Sequence, residues 1–243
     1  MRALHLVALC VLSQSVATQV MFARQDSAAA DATSALTCIQ NALGGTGAVG
    51  AVSSLYIKGQ TKPSRDSGLR PIPGTREISV VFPDRYLRTD LGQSGLNSIV
   101  GFDKGVILSS PRDPDAKRSE VSAHQDFARQ MLMRLPRKSA GVRLLQRVTS
   151  DSGRDRLAIE ASGADGFRAT LLVDRGTCVP IALQYTTSSG IRRVDLSEYQ
   201  PFGGVRFPMV LRTSIGGLPY SEERVTSVEL NTPAASKAFG GHR

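Results

Sequence analysis

A period-two alternation of apolar and polar residues runs through most of this 243-residue chain. In the segment 76–82, for example, Ile78 and Val80 share one face with Phe82, and polar residues take the other face. This period is typical of half-buried β-strands, and about a dozen segments have it. The predicted strands are residues 54–62, 76–82, 86–91, 98–102, 105–109, 142–148, 156–161, 167–174, 181–186, 192–197, 205–213 and 223–230.

Two segments have helical spacing instead. Residues 33–43 carry a short apolar stripe that ends at Gly44-Gly45, and residues 116–135 carry a longer one that ends at Pro136. In the longer segment the apolar stripe comprises Val121, Ala128, Met131, Leu132 and Leu135. Lys117, Glu120, Gln130 and Arg134 fall outside that stripe, on the other faces of the predicted helix.

Two helices are too few to supply the crossovers of a parallel sheet, so the sheet is predicted to be antiparallel. A single sheet of this length curls and leaves a concave face. The predicted fold is therefore mainly β: one large curved antiparallel sheet, an unclosed β-barrel, with both helices covering its concave face. A face covered in this way encloses a cavity.

The N-terminus resembles a secretory signal peptide, with Arg2 followed by an apolar run over residues 4–12. Small residues place the cleavage site after Ala17, with Ala23 as a second candidate. We therefore expect a signal peptide over residues 1–17, export to the periplasm, and a soluble mature protein. The expected organisation is completed by a linker over 18–32, one β domain over 33–239 and a tail over 240–243.

The cysteines leave two readings open. Cys10 lies in the signal peptide, so the mature chain keeps Cys38 and Cys178. In an oxidising compartment these two either form a disulfide between the first helix and the later sheet or remain separate buried thiols.

The charge is strongly positive, at +9, and arginine supplies most of it. The arginines are scattered over many strands without the interleaved aromatic residues of a nucleic-acid groove, so no nucleic-acid partner is expected. Solvated strand faces account for most of them, and transient contact with an anionic membrane surface is a further expectation.

No motif for catalysis or metal binding stands out. The histidines of the mature chain are His124 and His242, and neither has a partner in sequence for a triad or a metal site. Gly92-Gln93-Ser94-Gly95 lacks the frame of a nucleophile elbow. We expect no enzyme activity, no metal and no cofactor, although distant carboxylates that converge in a cleft would indicate a hydrolase.

The segment 45–50 matches G-x-G-x-x-G, but a helix precedes it and a strand follows it. Dinucleotide binding needs the opposite order, because the pyrophosphate sits at the N-terminus of the helix that follows the glycines. We interpret these glycines as a left-handed helix cap and a flexible lead into the first strand.

Several segments together resemble the LolA-like outer-membrane lipoprotein-sorting proteins. They are GFRATLLVD at 166–174, YQPFGGVRFP at 199–208, ALGG at 42–45 and FPDRY at 82–86. The resemblance implies an unclosed barrel of about eleven strands whose concave apolar face, lidded by helices, receives acyl chains. It carries over no acylated cysteine and no particular cargo-gating arginine.

The expected function is that of a periplasmic protein similar to lipoprotein carriers. Such a protein would bind and transport a lipid or an acylated lipoprotein, and it would act as a monomer. The expected cavity lining is Ile78, Val80, Phe82, Phe167, Ala169, Leu171, Ile181, Leu183 and Tyr185. The same alternation would also place these residues in an ordinary core. The alternative function is a non-catalytic regulatory or scaffold module of the cell envelope that binds a protein partner with the same fold.

Overall fold

The structure is a computed structural model that describes residues 33–64, 73–92, 95, 97–110, 115–137, 142–151, 153–163 and 166–240. The predicted signal peptide and linker, and residues 241–243 of the predicted tail, lie outside these residues.

Twelve antiparallel strands form one sheet. They are β1 (Ser54–Pro63), β2 (Gly74–Val81), β3 (Arg85–Gly92), β4 (Asn97–Asp103), β5 (Val106–Ser110), β6 (Val142–Asp151), β7 (Arg154–Gly163), β8 (Arg168–Asp174), β9 (Pro180–Thr187), β10 (Gly190–Phe202), β11 (Val205–Ile215) and β12 (Leu218–Leu230). The order across the sheet is β5-β4-β3-β2-β1-β12-β11-β10-β9-β8-β7-β6. Each strand pairs with its neighbour in sequence, except that β1 pairs with β12, and β5 and β6 occupy opposite edges.

This architecture confirms the predicted fold class, and each predicted strand is present. The differences lie at the ends: β12 begins at Leu218 and β10 continues to Phe202, beyond the predicted limits. Cross-strand pairing continues through the polar hairpin ends, where alternation of hydrophobicity no longer marks the strand.

Helix α3 (Ala116–Arg134) connects the two edges of the sheet. Its 19 residues give it a length of roughly 28 Å. It contacts β4 and β5 on one side of the sheet and β8, β9 and β11 on the other, so it crosses the concave face. Asp115 caps its start by accepting a hydrogen bond from the backbone N–H of Arg118.

Helix α1 (residues 33–42) also covers the concave face, at the strand ends that are joined by the β8–β9 turn. Ala35, Ile39 and Leu43 are buried in the same core as the sheet. A disulfide joins Cys38 to Cys178 in the turn between β8 and β9, with 5.7 Å between the Cα atoms. Gly44 follows the helix with a φ of 124°, and a Cβ at this position would collide with the carbonyl oxygen of Gly204.

Two short helices were not predicted. The flexible lead expected over residues 45–50 is wrong, since α2 (Thr46–Gly50) forms a helical turn there and buries Val49. The cap expected at the glycines is present, because Gly44 and Gly45 both have positive φ. The second, α4 (Pro233–Lys237), follows β12 and packs against β1 and β2.

The main core lies between the concave face and the helices, and the outer face carries only a small apolar cluster in its described part. Ile181 packs against that outer cluster rather than the core. The reason is a β-bulge: Leu172 pairs with Ala182 but Val173 pairs with Pro180, so Ile181 is an extra residue that breaks the alternation.

Among the helices of the described chain, none combines the length and the apolar character that crossing a bilayer requires.

The disulfide closes a loop of 140 residues, which leads to the first prediction. Reduction should lower the free energy of unfolding by about 2–4 kcal/mol, because the open chain gains conformational entropy in its unfolded state. Urea unfolding with and without reductant measures the difference. In the double variant Cys38→Ser/Cys178→Ser, reductant should have no effect. Equal urea midpoints for reduced and oxidised wild type would contradict the prediction.

Candidate functional site: a cavity between helix α3 and the sheet

A cavity of about 720 Å³ lies on the concave face beside α3. Both halves of the sheet and the helix contribute to its wall. The lining residues are Thr61, Gly74, Thr75, Arg76, Arg88, Asp90, Leu91, Gly92, Ser98, Ser122, Asp126, Arg129, Gln130, Met133, Tyr185, Arg192, Val194, Leu211, Thr213, Tyr220, Ser221 and Glu223. Its volume is in the range of small-molecule sites, roughly 300–1,000 Å³. Its wall is strongly charged.

One side of this wall is an ion-pair network centred on Glu223 of β12. Arg134, at the end of α3, donates a hydrogen bond to one carboxylate oxygen of Glu223. Arg76 of β2 donates to the other oxygen at 2.9 Å and also pairs with Asp90 of β3 at 2.6 Å. The side chain of Arg134 is 1% exposed. The network therefore ties the helix to strands from both halves of the chain.

A second group of charges holds the middle of α3. Asp126 accepts a hydrogen bond from the hydroxyl of Tyr86 and another from Arg88, each at 2.5 Å. Burial, followed by the neighbouring Asp126 carboxylate, holds the pKa of Tyr86 well above its ordinary value. Tyr86 therefore remains a neutral donor. Its ring also packs beside Phe127 of α3, with 5.4 Å between centroids.

Burial alone would raise the pKa of Glu223, but the guanidinium groups of Arg134 and Arg76 hold it below its ordinary value. The carboxylate is therefore charged at neutral pH. This is the opposite of the raised pKa that a buried general acid needs.

The structure buries charged and polar residues that the sequence did not assign to the core. Gln130 and Arg134 lie outside the predicted apolar stripe of the helix, and both are buried. Arg76, Arg88 and Arg192 line the cavity, although most arginines were expected on solvated strand faces. Helix α3 lies inside a curved sheet, so several of its faces are covered by protein.

The sequence does indicate that two of these arginines face the cavity. Arg76 has the strand parity of Ile78 and Val80, and Arg192 has that of Val194 and Leu196. A charged residue at core parity points to the concave face.

Most of the predicted lining residues lie elsewhere. Ile78, Val80, Phe167, Leu171 and Leu183 are buried in the main core, where Phe82 is partly buried. Ala169 lines a smaller pocket together with Tyr185, and Ile181 lies on the outer face. Of the nine predicted residues, Tyr185 alone borders the main cavity. Most of the other predicted residues belong to the ordinary core of the protein.

The hairpin ends near the cavity carry exposed apolar side chains. Leu91 borders the cavity and is exposed, Ile191 precedes the lining residue Arg192 and is 62% exposed, and Leu218 is 70% exposed. Ile215 pairs with Leu218 and also stands opposite Arg192, so Leu218 lies on the same face of the sheet as Arg192. Ile191 is next to Arg192 in the strand and therefore lies on the opposite face. An apolar rim therefore flanks this end of the cavity.

Within the described residues, no group of three or more His, Cys, Asp or Glu side chains is arranged to hold a metal ion. The cavity carboxylates Asp90, Asp126 and Glu223 all form ion pairs with arginine. His124 is exposed and stacks on Phe102, with 4.6 Å between the ring centroids. The arrangement suits binding and orientation of a ligand.

Comparison with known proteins identifies the type of fold. No protein-family model matches the chain, and no curated protein matches its sequence. The structure is similar to the LolA superfamily protein NE2245 from Nitrosomonas europaea, with a TM-score of 0.54 and 12% identity over 83% of this chain and 94% of that one. A DUF1329 family protein from Desulfovibrio piger gives a TM-score of 0.52 and 10% identity over 87% of this chain and 99% of that one. The chain has a LolA-like fold.

The second prediction concerns Glu223. Glu223→Gln should lower the free energy of unfolding by about 3–5 kcal/mol at pH 7, because buried arginines lose their charged partner. Glu222→Gln is the matched control on the exposed face, where loss of the pairs with Arg212 and Arg224 should change stability by at most about 1 kcal/mol. Urea unfolding measures both, and equal losses would contradict the assigned role.

The third prediction gives the pH dependence of the same group. Because the folded-state pKa of Glu223 lies below its ordinary value of 4.5, its contribution is complete above that pH and is lost as the pH falls through the folded-state pKa. Wild-type stability should therefore fall more steeply below pH 4.5 than that of Glu223→Gln. Urea midpoints from pH 7 to pH 3 test this, and parallel curves would refute it.

Proposed function

We propose that this protein is a non-catalytic carrier of the periplasm that binds the acyl chain of a lipid or an acylated lipoprotein in the cavity beside α3. The single observation that carries the proposal is this cavity, about 720 Å³ in volume, within a LolA-like sheet. A domain that needed only stability would pack side chains there.

The apolar part of the wall supports an acyl ligand. Met133 of α3, Val194 of β10 and Leu211 of β11 border the cavity and also belong to or adjoin the main core. Burying a chain against such side chains is favourable by roughly 0.8 kcal/mol for each methylene group. Met133, Val194 and Leu211 are all non-aromatic, so this part of the wall suits an acyl chain.

The exposed rim supports a route of loading from a membrane. Leu91 borders the cavity and Leu218 lies on the face of the lining residue Arg192, so both are placed where a lipid would pass from a bilayer. Exposed apolar groups rimmed by polar residues are typical of interaction sites. The net charge of +9 favours approach to an anionic surface.

The absence of catalysis is part of the proposal. The carboxylates in the cavity are held by arginines, and the pKa of Glu223 is lowered rather than raised. The resemblance of residues 1–17 to a signal peptide supports the periplasm as the proposed compartment.

The fourth prediction fills the cavity. Thr213→Trp places an indole where Thr213 lines the wall, and it should weaken binding of a fluorescent fatty-acid probe at least tenfold by occupying the space of the chain. Thr226→Trp on β12 is the control: Thr226 is exposed and does not border the cavity, so its variant should bind as wild type does.

Native mass spectrometry of protein purified from its own envelope provides the second readout. Wild type and Thr226→Trp should carry adducts of lipid mass, and Thr213→Trp should carry fewer. A clean wild-type spectrum together with no probe binding would overturn the proposed function. Circular dichroism confirms that both variants are folded.

A further inference from the structure

Two arginines flank Tyr185 in the main cavity. The guanidinium carbon of Arg129, on α3, lies 4.6 Å from the centroid of the Tyr185 ring. Arg192, on β10, stands directly opposite Tyr185 in the β9–β10 ladder. Directly opposed residues leave a sheet on the same face with Cβ atoms roughly 5 Å apart. Both arginines therefore reach the same part of the cavity, which both of them line.

These two arginines differ from the others in the wall. Arg76 and Arg88 each contact carboxylates, whereas in the described part of the chain neither Arg129 nor Arg192 forms an ion pair with an acidic residue. Arg129 donates one hydrogen bond, at 2.8 Å, to the amide oxygen of Gln125. The Nε atoms of Arg129 and Arg192 are both buried without a hydrogen-bond partner. The Nε atom of Arg88 also has none, but its guanidinium group is held by the ion pairs with Asp90 and Asp126.

Unsatisfied buried donors on a charged group are costly, and they are rare in native proteins. A guanidinium group has five N–H donors in a planar fork that matches the oxygens of a carboxylate or a phosphate. Arg192 lies over the ring of Tyr220, with 5.4 Å from its guanidinium carbon to the centroid. Stacking on a ring occupies the face of the group and leaves the N–H edge free to donate.

The acidic residues nearby do not neutralise this pair. Asp90, Asp126 and Glu223 are already bound to Arg76, Arg88 and Arg134. With Arg134 included, five guanidinium groups stand against three carboxylates in and behind the wall. The local excess of positive charge favours an anion in a partly water-excluded space.

We infer that Arg129 and Arg192 form an anion site that binds the phosphate or carboxylate head group of the ligand, with Tyr185 and Tyr220 as its aromatic walls. Arg192 lies two residues from the hairpin end at Gly190, and Val194 follows it along the strand. The head group is thereby held near the rim, and the chain runs inward over Val194, Leu211 and Met133. This inference rests on the proposed function and narrows its ligand to anionic amphiphiles.

The test compares head groups on one chain length. Dodecyl phosphate, dodecyl maltoside and inorganic phosphate are titrated separately into the full mature protein by calorimetry, below the micellar concentrations of the two amphiphiles. Wild type should bind dodecyl phosphate at least tenfold more tightly than dodecyl maltoside, and higher salt should reduce that preference. Inorganic phosphate should bind weakly, because it has no chain to bury.

Arg129→Gln and Arg192→Gln should each reduce the preference for phosphate about tenfold, since each removes a charged donor, and the double variant should abolish it. Binding of dodecyl maltoside should persist in all three. Arg192→Lys keeps the charge and should retain part of the preference. The control is Arg118→Gln/Arg212→Gln, which removes two exposed charges outside the cavity and should leave the preference unchanged.

The outcomes separate the two proposals. Equal binding of both amphiphiles by wild type, or a preference that survives in the double variant, would overturn the anion site and leave the proposed function standing. No binding of either amphiphile would overturn the proposed function. If inorganic phosphate still bound in that case and depended on both arginines, the anion site would stand with free phosphate as its source.

Discussion

The crossing of α3 over the concave face is the constraint on which the rest of the structure depends. Strands β5 and β6 lie at opposite edges of the sheet, so the connection between them has to traverse its face. The buried ion pair of Arg134 with Glu223 fixes one end of the crossing helix, and the pairs made by Asp126 with Tyr86 and Arg88 fix its middle. The same charged groups border the open space that remains between the helix and the sheet. The cavity is thus a consequence of how the chain returns across its own sheet.

Much of this fold could be predicted from local pattern. The period-two alternation of apolar and polar residues predicted each strand, and the small number of helices predicted antiparallel pairing. The burial of Gln130 and Arg134 could not be obtained from helical periodicity, because the groups that cover them come from strands distant in sequence; Glu223 is 89 residues from Arg134. Ile181 lies on the outer face because of a β-bulge, and the residue pattern does not predict this bulge. The strand positions of Arg76 and Arg192 fall on the same face as those of core residues and indicate a charged wall on the concave face. The prediction was not made because most arginines were expected on solvated strand faces.

The cavity that results differs in character from the apolar pocket expected from the alternation of the strands. The aliphatic residues predicted to line it mostly fill the core between sheet and helices, and the space that remains is bordered by ion pairs, by Tyr185 and Tyr220, and by a smaller apolar surface at Val194, Leu211 and Met133. A wall of this kind is matched by a ligand with one charged end and one apolar end. The paired charges set the shape of the wall, and Arg129 and Arg192 supply the charge left over for a ligand.

Photo-crosslinking tests the central claim, that the space beside α3 is where the ligand lies. A fatty acid with a diazirine in its chain is irradiated with the mature protein, and the labelled residues are mapped by peptide mass spectrometry. The account predicts adducts on cavity residues such as Met133, Val194, Leu211 and Thr213, which unlabelled fatty acid should suppress by competition. Labelling confined to the outer face, for example around Ala158 and Leu172, or labelling that unlabelled fatty acid does not suppress, would contradict it.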